Sequence, residues 1–214
     1  MESFKTCRFC DIGDGNYYYS GIDEPFASND KFIAIASIGA LVQGWSLIIP
    51  KAHQLSMRNI YADSMFCDLV NSVLSSMFYH YGHLVAFEHG ANEEGSITAC
   101  GTDHAHLHIV PMGKSLLTEH ERSGQQWVQC RASEIAISSE ENEYLFYCEL
   151  DESGAWHDPV GYLHVLARPI SQFFRHRIAE RTGQAGVSDY MRFPHLDIAM
   201  HTRHILVSSS ALDR

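Results

Sequence analysis

The feature that most constrains this chain is an alternation of histidine with apolar residues over residues 104–109. The histidines are His104, His106 and His108, and small or aliphatic residues stand between them. A period of two is typical of a strand with one buried face, so we expect the three imidazoles on one face and the apolar side chains in the core. The alternative is a histidine-rich strand face that is exposed to solvent and carries no chemistry.

The spacing along such a strand favours a division of roles among the histidines. With a rise of about 3.3 Å per residue, neighbouring histidines would lie roughly 6–7 Å apart and the outer pair about 13 Å apart. Metal–imidazole bonds are only about 2.0–2.1 Å long, so one ion is not expected to bind all three. We therefore expect one nucleophile or base, one contact to the substrate, and one orienting or metal-binding group.

Composition narrows the class of protein. The chain has 214 residues and a net charge of −11, which argues against broad binding of nucleic acid or of anionic membranes, because both need basic surface. The sequence contains no signal-peptide pattern and no apolar run long enough to span a bilayer. Six cysteines without an export signal are typical of cytosolic thiols, so we expect a cytoplasmic protein.

The first half is expected to contain strands and one main helix. Residues 61–81 repeat apolar side chains at helical spacing, and Asp63 or Ser64 can cap that helix. Strands are predicted over residues 31–37, 45–49 and 84–87, and a polar loop over residues 88–95.

The second half carries a weaker pattern. Strands are predicted over residues 127–130, 144–150 and 162–168, and a helix over residues 171–181. We interpret Arg175, Arg177 and Arg181 of that helix as a solvated face, with a phosphate site as the alternative. The tail from residue 193 onward carries little signal. The predicted fold class is α+β, with an antiparallel sheet and one main helix.

Two blocks of the sequence resemble the histidine-triad superfamily of nucleotide hydrolases and transferases. Residues 104–110 match its central motif, and residues 44–53 are similar to its strand that ends in Pro-Lys-x-His. Residues 87–90 and the long second half look closer to a diverged branch that includes proteins linked to splicing and lariat debranching. The resemblance covers the first half and implies a catalytic core over residues 1–116, with a C-terminal α+β extension over residues 117–214 packed on it.

The resemblance implies a role for each of the last two histidines. His106 would be the nucleophile that forms a nucleotidyl-imidazole intermediate, and His108 would contact the phosphate oxygens. Substrate-binding residues are expected on the first hairpin and in the loop before the triad: Ser37, Asn92, Ser96, Gly101 and Thr102. For each of the loop residues a plain role in a turn is the alternative.

The resemblance also implies structural zinc. Family members with an N-terminal C-x-x-C can bind zinc through both cysteines, the Pro-Lys-x-His histidine and the first triad histidine, which are Cys7, Cys10, His53 and His104 here. Two thiolates and two imidazoles make a complete tetrahedral set. Without the resemblance, the cysteine pair could be a redox pair, half of a zinc site or a chance occurrence, and the redox pair is disfavoured because no β-α unit precedes it. The alternative to zinc is a pair of free thiols beside an orienting His53.

Two positions depart from the family pattern. Residues 100–103, Cys-Gly-Thr-Asp, stand where many members have Gln-x-Val-x, and Ser37 stands where many members have an aspartate that holds the ribose. The loss of one carboxylate–diol pair would weaken ribose recognition by about 1–3 kcal/mol. These departures bear on the substrate more than on the type of reaction.

The expected function is hydrolysis of a nucleotide phosphoanhydride, phosphoramidate or phosphoester through a covalent intermediate on His106. One alternative is a transferase or phosphorylase that passes the same intermediate to phosphate or to a sugar phosphate. Another is a noncatalytic scaffold that binds a nucleotide or a partner protein. The resemblance further implies a homodimer.

Overall fold

The computed structural model describes residues 7–150 and 155–210, and it shows an α+β protein built on one sheet. The strands are β1 (Ala27–Ser28), β2 (Phe32–Ala36), β3 (Ser46–Pro50), β4 (Leu84–Gly90), β5 (Leu107–Pro111), β6 (Val128–Arg131), β7 (Tyr144–Leu150) and β8 (Val160–Val165). They pair antiparallel throughout, in the order β1-β2-β3-β5-β4-β7-β8-β6.

The described residues also form six α-helices. They are α1 (Arg8–Gly13), α2 (Ser64–Tyr81), α3 (Glu119–Ser123), α4 (Ile135–Ser139), α5 (Phe173–Arg181) and α6 (Leu196–Ser210). In the part of the chain that the structure describes, no helix is both long and apolar enough to cross a membrane.

The main helix is confirmed, and its start is set by a side-chain cap. The carboxylate of Asp63 accepts hydrogen bonds from the amides of Met65 and Phe66, at 2.8 and 3.4 Å. Such a cap satisfies amides that have no partner inside the helix, so α2 begins at Ser64 and not at residue 61.

The sheet is covered on both faces, which explains why its central strands are buried on both sides. Helix α2 packs on the face that carries Ile48, Ala86 and Leu107. Helices α1 and α5 pack on the opposite face, which carries Leu47 and Phe87. The His108 ring stacks on Phe87 with ring centroids 4.5 Å apart, so it lies on this second face. The C-terminal half thus contributes α5 to the layer over the histidines.

The second half of the chain extends the same sheet. Strand β7 pairs with the whole of β4, from Leu84 opposite Leu150 to Gly90 opposite Tyr144. Strands β8 and β6 then continue the sheet outward. The predicted boundary at residue 116 falls between β5 and α3, and backbone hydrogen bonds join the strands on its two sides.

The prediction that all three histidines lie on one strand is wrong. Strand β5 begins at Leu107, so the first two histidines precede it. Its partner β3 ends at Pro50, which has no N–H group to donate. The amide of Ala105 instead donates to the carbonyl of Gln54, at 2.6 Å, and this bond takes the chain out of the sheet.

The predicted loop over residues 88–95 is also partly wrong, because Glu88, His89 and Gly90 belong to β4. Glu88 is tolerated there because its carboxylate accepts hydrogen bonds from the Tyr61 and Tyr144 hydroxyls, at 2.5 and 2.6 Å, as well as from a backbone amide. Burial raises the pKa of Glu88 above its ordinary value. The tail, which carries little sequence signal, forms α6.

Candidate active site and metal centre

Two cysteines and two histidines converge beside α1. Cys7 is the N-cap of this helix and Cys10 lies within it, while His53 follows β3 and His104 precedes β5. Their four ligand atoms all lie within 4.8 Å of one another. The Sγ atom of Cys7 is 3.3 Å from Nδ1 of His104, and the Sγ atom of Cys10 is 3.3 Å from Nδ1 of His53. The predicted ligand set is therefore brought together in an arrangement compatible with a metal site.

One hydrogen bond fixes the tautomer of His104. Its Nε2 atom lies 2.7 Å from the carbonyl oxygen of Pro50. A carbonyl only accepts, so Nε2 carries the proton and Nδ1 keeps its lone pair toward the two sulfurs. Burial lowers the pKa of His104 to about 4, which keeps the ring neutral at pH 7. Burial also raises the pKa of Cys10 to about 11, and a bound cation would oppose that shift by favouring the thiolate.

A cavity lies on the far side of Phe9 from this cluster. The Phe9 ring centroid is 5.8 Å from that of His104 and 5.3 Å from that of His106. The cavity has a volume of about 50 Å³, whereas roughly 10–15 Å³ is enough for one water. Its polar lining consists of Arg8, Ser37, His89, Cys100, Thr102, His106, His108, Gln172, Arg175 and Tyr190. It therefore has room for several waters, and so for at least one phosphoryl group.

His106 presents a lone pair to this cavity. Its Nδ1 atom lies 2.8 Å from the carbonyl oxygen of His104, so Nδ1 carries the proton and Nε2 does not. Burial lowers the pKa of His106 to about 4, an effect that this hydrogen bond only partly opposes. The charges of Arg8 and Arg175 lower the pKa further. The ring is therefore neutral at pH 7, with a nucleophilic Nε2.

His108 holds the opposite tautomer. The indole N–H of Trp45 donates to its Nδ1 atom, at 2.9 Å, so the proton of the neutral ring is on Nε2. Burial lowers the pKa of His108 well below its ordinary value. The rings of His106 and His108 are 4.7 Å apart, closer than an ideal strand predicts, because His106 precedes β5. One cavity thus holds an imidazole with a lone pair beside an imidazole that can donate a proton.

The predicted substrate-binding residues divide between two places. Ser37 and Thr102 line the histidine cavity. Gly101 adopts a φ of +81° close to it, without forming part of its lining. Asn92 and Ser96 line a separate surface groove, where the Ser96 hydroxyl caps a short 3-10 turn. The binding roles of all five residues stay predictions.

Six polar residues of the cavity were not among the predicted site residues. They are Arg8, His89, Cys100, Gln172, Arg175 and Tyr190. The interpretation of Arg175 as solvated is wrong, because only 7% of it is exposed. Its position in the first turn of α5, where a cation opposes the helix dipole, was a usable signal. His89 follows Phe87 by two residues, so a longer β4 prediction would have placed it on the triad face.

Comparison with known proteins adds no family assignment. No protein-family model matches the sequence, and no curated protein is significantly similar to it.

Proposed function

We propose that this chain is a histidine-triad-type hydrolase that cleaves a nucleotide phosphorus ester, amide or anhydride through a covalent intermediate on His106. The opposite tautomers of His106 and His108 in one buried cavity are the observation that carries this proposal. A neutral imidazole is a good nucleophile toward phosphorus and a good leaving group afterwards. The order of hairpin, helix and two further strands along the first half also agrees with the resemblance.

The hydrogen bonds suggest how each group acts. The Nε2 lone pair of His106 forms a bond to phosphorus, and the bond from phosphorus to the leaving group breaks with its electron pair on the leaving group. The ring then carries a positive charge, which the carbonyl of His104 stabilises through the Nδ1–H bond. The Nε2–H of His108 donates to a phosphoryl oxygen as negative charge develops there. Water then attacks phosphorus, the bond from phosphorus to Nε2 of His106 breaks with its electron pair on the imidazole, and the proton that the water loses passes to the leaving group or to solvent.

We also propose that zinc occupies the cluster of Cys7, Cys10, His53 and His104. Tetrahedral zinc, with bonds of about 2.3 Å to sulfur and 2.0–2.1 Å to nitrogen, separates its ligand atoms by roughly 3.3–3.8 Å. Three of the four sulfur–nitrogen pairs in the cluster are 3.3, 3.3 and 3.5 Å apart, which fits that spacing. Four protein ligands leave no open position for a substrate, so the ion would stabilise the fold and take no part in the chemistry.

The test is a substrate screen read out by intact mass. Nucleoside phosphoramidates, dinucleoside polyphosphates and nucleotide sugars are each mixed with the protein, which is then quenched in alkaline denaturant because a phosphoramidate bond is stable there. We expect a nucleotidyl adduct that maps to His106. His106→Ala should lose the adduct and at least 10³-fold in turnover, because the nucleophile is gone. His120→Ala, a change to an exposed histidine outside the cavity, is the control.

The same experiment separates hydrolase from transferase. With phosphate or a sugar phosphate added, a transferase yields the acceptor adduct in place of the hydrolysis product. Near-native turnover by His106→Ala on the best substrate would refute the covalent mechanism. A homodimer also stays a prediction. Strand β4 is paired with β5 on one side and with β7 on the other, so a strand of a second copy could extend the sheet only at its edge strands, β1 and β6.

A further inference from the structure

Arg175 is a buried cation on the wall of the histidine cavity. Its guanidinium group lies over the Trp45 ring, 4.7 Å from the centroid, and 5.5 Å from the centroid of Tyr190. It also donates a hydrogen bond to the carbonyl of Gly39. These contacts are with neutral groups, so they leave its charge uncompensated.

The other arginine of the cavity, Arg8, differs from Arg175 because it has a carboxylate partner. Arg8 forms an ion pair with Asp23, whose side chain is fully buried. Among residues 7–150 and 155–210, no carboxylate forms an ion pair with Arg175. Exposed Asp189 acts on it only through space. Burial lowers the pKa of Arg175 to about 10, so it remains charged at pH 7. A buried cation without a counter-ion is destabilising, and a bound anion would offset that cost.

Two further polar atoms at the cavity have no partner within the described residues. The Nε2 atom of His89 is buried without a hydrogen bond, and only 9% of His89 is exposed. The Oε1 atom of Gln172, the residue that precedes α5, is likewise buried and unpaired, but a carbonyl oxygen only accepts hydrogen bonds and so does not itself favour an anion. Buried polar groups without partners are rare in folded proteins, so the unpaired His89 nitrogen at the cavity indicates a missing ligand. The first turn of α5 contains no acidic residue that could neutralise this end of the helix.

We propose that Arg175 and His89 form a second anion subsite beside the triad, which binds an oxyanion group adjacent to the phosphoryl group held at His106 and His108. The inference rests on the proposed function only for the group at His106. Arg175 supplies the charge and a planar set of donors, and His89, with its proton on the unpaired Nε2, would supply one N–H at a buried position. The C-terminal half thereby selects substrates that carry two neighbouring anionic groups.

Calorimetry with two matched ligands tests the subsite. Methylenediphosphonate carries two anionic phosphorus groups and resists hydrolysis, whereas methylphosphonate carries one. We expect the wild-type protein to bind the diphosphonate at least 10-fold more tightly, and Arg175→Gln to remove that preference. Arg177→Gln, on the same helix but paired with Glu121 and outside the cavity lining, should keep it. Equal binding of the two ligands by the wild type, or an unchanged preference in Arg175→Gln, would overturn the subsite.

A measurement without a variant covers the case in which Arg175→Gln does not fold. Phenylglyoxal modifies arginine, and peptide mapping gives its rate at each position. Methylenediphosphonate should slow modification of Arg175 at least 5-fold and leave Arg177 unaffected, whereas no protection of Arg175 would refute the proposal. Calorimetry on His106→Ala keeps the two proposals distinguishable. A retained diphosphonate preference together with no covalent adduct in the wild type would leave the subsite standing and remove the proposed mechanism.

Discussion

The candidate metal cluster (Cys7, Cys10, His53 and His104) and the cavity use histidines two residues apart in opposite ways. In the cluster, His104 donates from Nε2 to a carbonyl and directs the lone pair of Nδ1 at two sulfurs. In the cavity, His106 donates from Nδ1 to a carbonyl and keeps its lone pair on Nε2. Both rings are buried and neutral at pH 7. The difference shows that the position of the backbone carbonyl beside each ring decides which ring nitrogen keeps its lone pair. The residue type is the same in both cases.

One residue joins the two regions. The side chain of His104 belongs to the metal cluster, and its carbonyl oxygen accepts the Nδ1–H of His106. A ligand that fixes the His104 side chain would therefore also fix the orientation of the His106 ring. The comparison predicts that damage to the cluster lowers stability strongly and reactivity partially, whereas damage to the cavity has the reverse effect.

The largest effect is expected from breaking the cluster. The double variant Cys7→Ser, Cys10→Ser should lose its bound zinc, because serine is a poor zinc ligand. Losing a structural ion should cost at least about 3 kcal/mol, and at about 2–4 °C per kcal/mol this lowers the melting temperature by about 6–12 °C. Elemental analysis, thermal unfolding and the yield of the His106 adduct check this, and the adduct should form at reduced yield.

Cys67→Ser is the control for that experiment, because Cys67 lies outside the cluster and bonds to the carbonyl of Tyr61. If the wild-type protein contains no zinc when it is purified without chelator, the proposal of a structural zinc site is wrong. Zinc that is bound through His106 would reverse the assignment of the two regions.

A smaller effect is expected from Trp45→Phe, which tests whether the tautomer of His108 in the cavity matters for activity. Phenylalanine keeps an aromatic ring near Phe87 but removes the N–H that sets the tautomer of His108. Outer-shell partners of this kind are typically worth about 10–100-fold in activity, so we expect kcat to fall by that factor, while the lost packing lowers the melting temperature about as much as in a control variant at another buried tryptophan. Trp127→Phe, a buried tryptophan outside the cavity lining, is the control. Unchanged kcat would mean that Trp45 does not orient His108.

The smallest expected effect is on the pH dependence of stability. Burial lowers the pKa of His89 to about 3 from an ordinary value of 6.5, and His106, Arg175 and His176 lower it further through their charges. The folded state therefore binds fewer protons than the unfolded state below pH 6.5, so the stability present above that pH is lost as the pH falls.

The variant His89→Leu isolates this contribution. Between pH 7 and pH 5 it should lose about 1–2 kcal/mol less unfolding free energy than the wild type, as measured by chemical denaturation. Taking the difference between the two proteins cancels the acid sensitivity of the metal cluster, which both share. Identical pH dependence in the two proteins would show that His89 is not held neutral.

Local pattern was enough to predict much of the fold. Strand β7 spans the predicted residues 144–150, and α2 ends at the predicted Tyr81, because apolar periodicity and a capping Asp63 are local signals. The four residues of the metal cluster were also predicted, though only through the resemblance. What the sequence could not provide is the pairing of β7 with β4 and the packing of α5 over the triad, because both join distant segments. Arg175 was misinterpreted for that reason.

The tautomers were beyond sequence reasoning as well. They depend on the carbonyls of Pro50 and His104 and on the indole of Trp45, and these partners come together only in the folded chain.

The most direct test of the account is a long-range ¹H–¹⁵N spectrum of the imidazole nitrogens at pH 7, which reports where each ring carries its proton. His106→Ala and His108→Ala assign the two sets of signals. The account predicts that His106 is protonated at Nδ1 and His108 at Nε2, with both rings neutral. The same tautomer on both rings, or a charged His106 at pH 7, would contradict the assignment of His106 as the nucleophile and His108 as the donor.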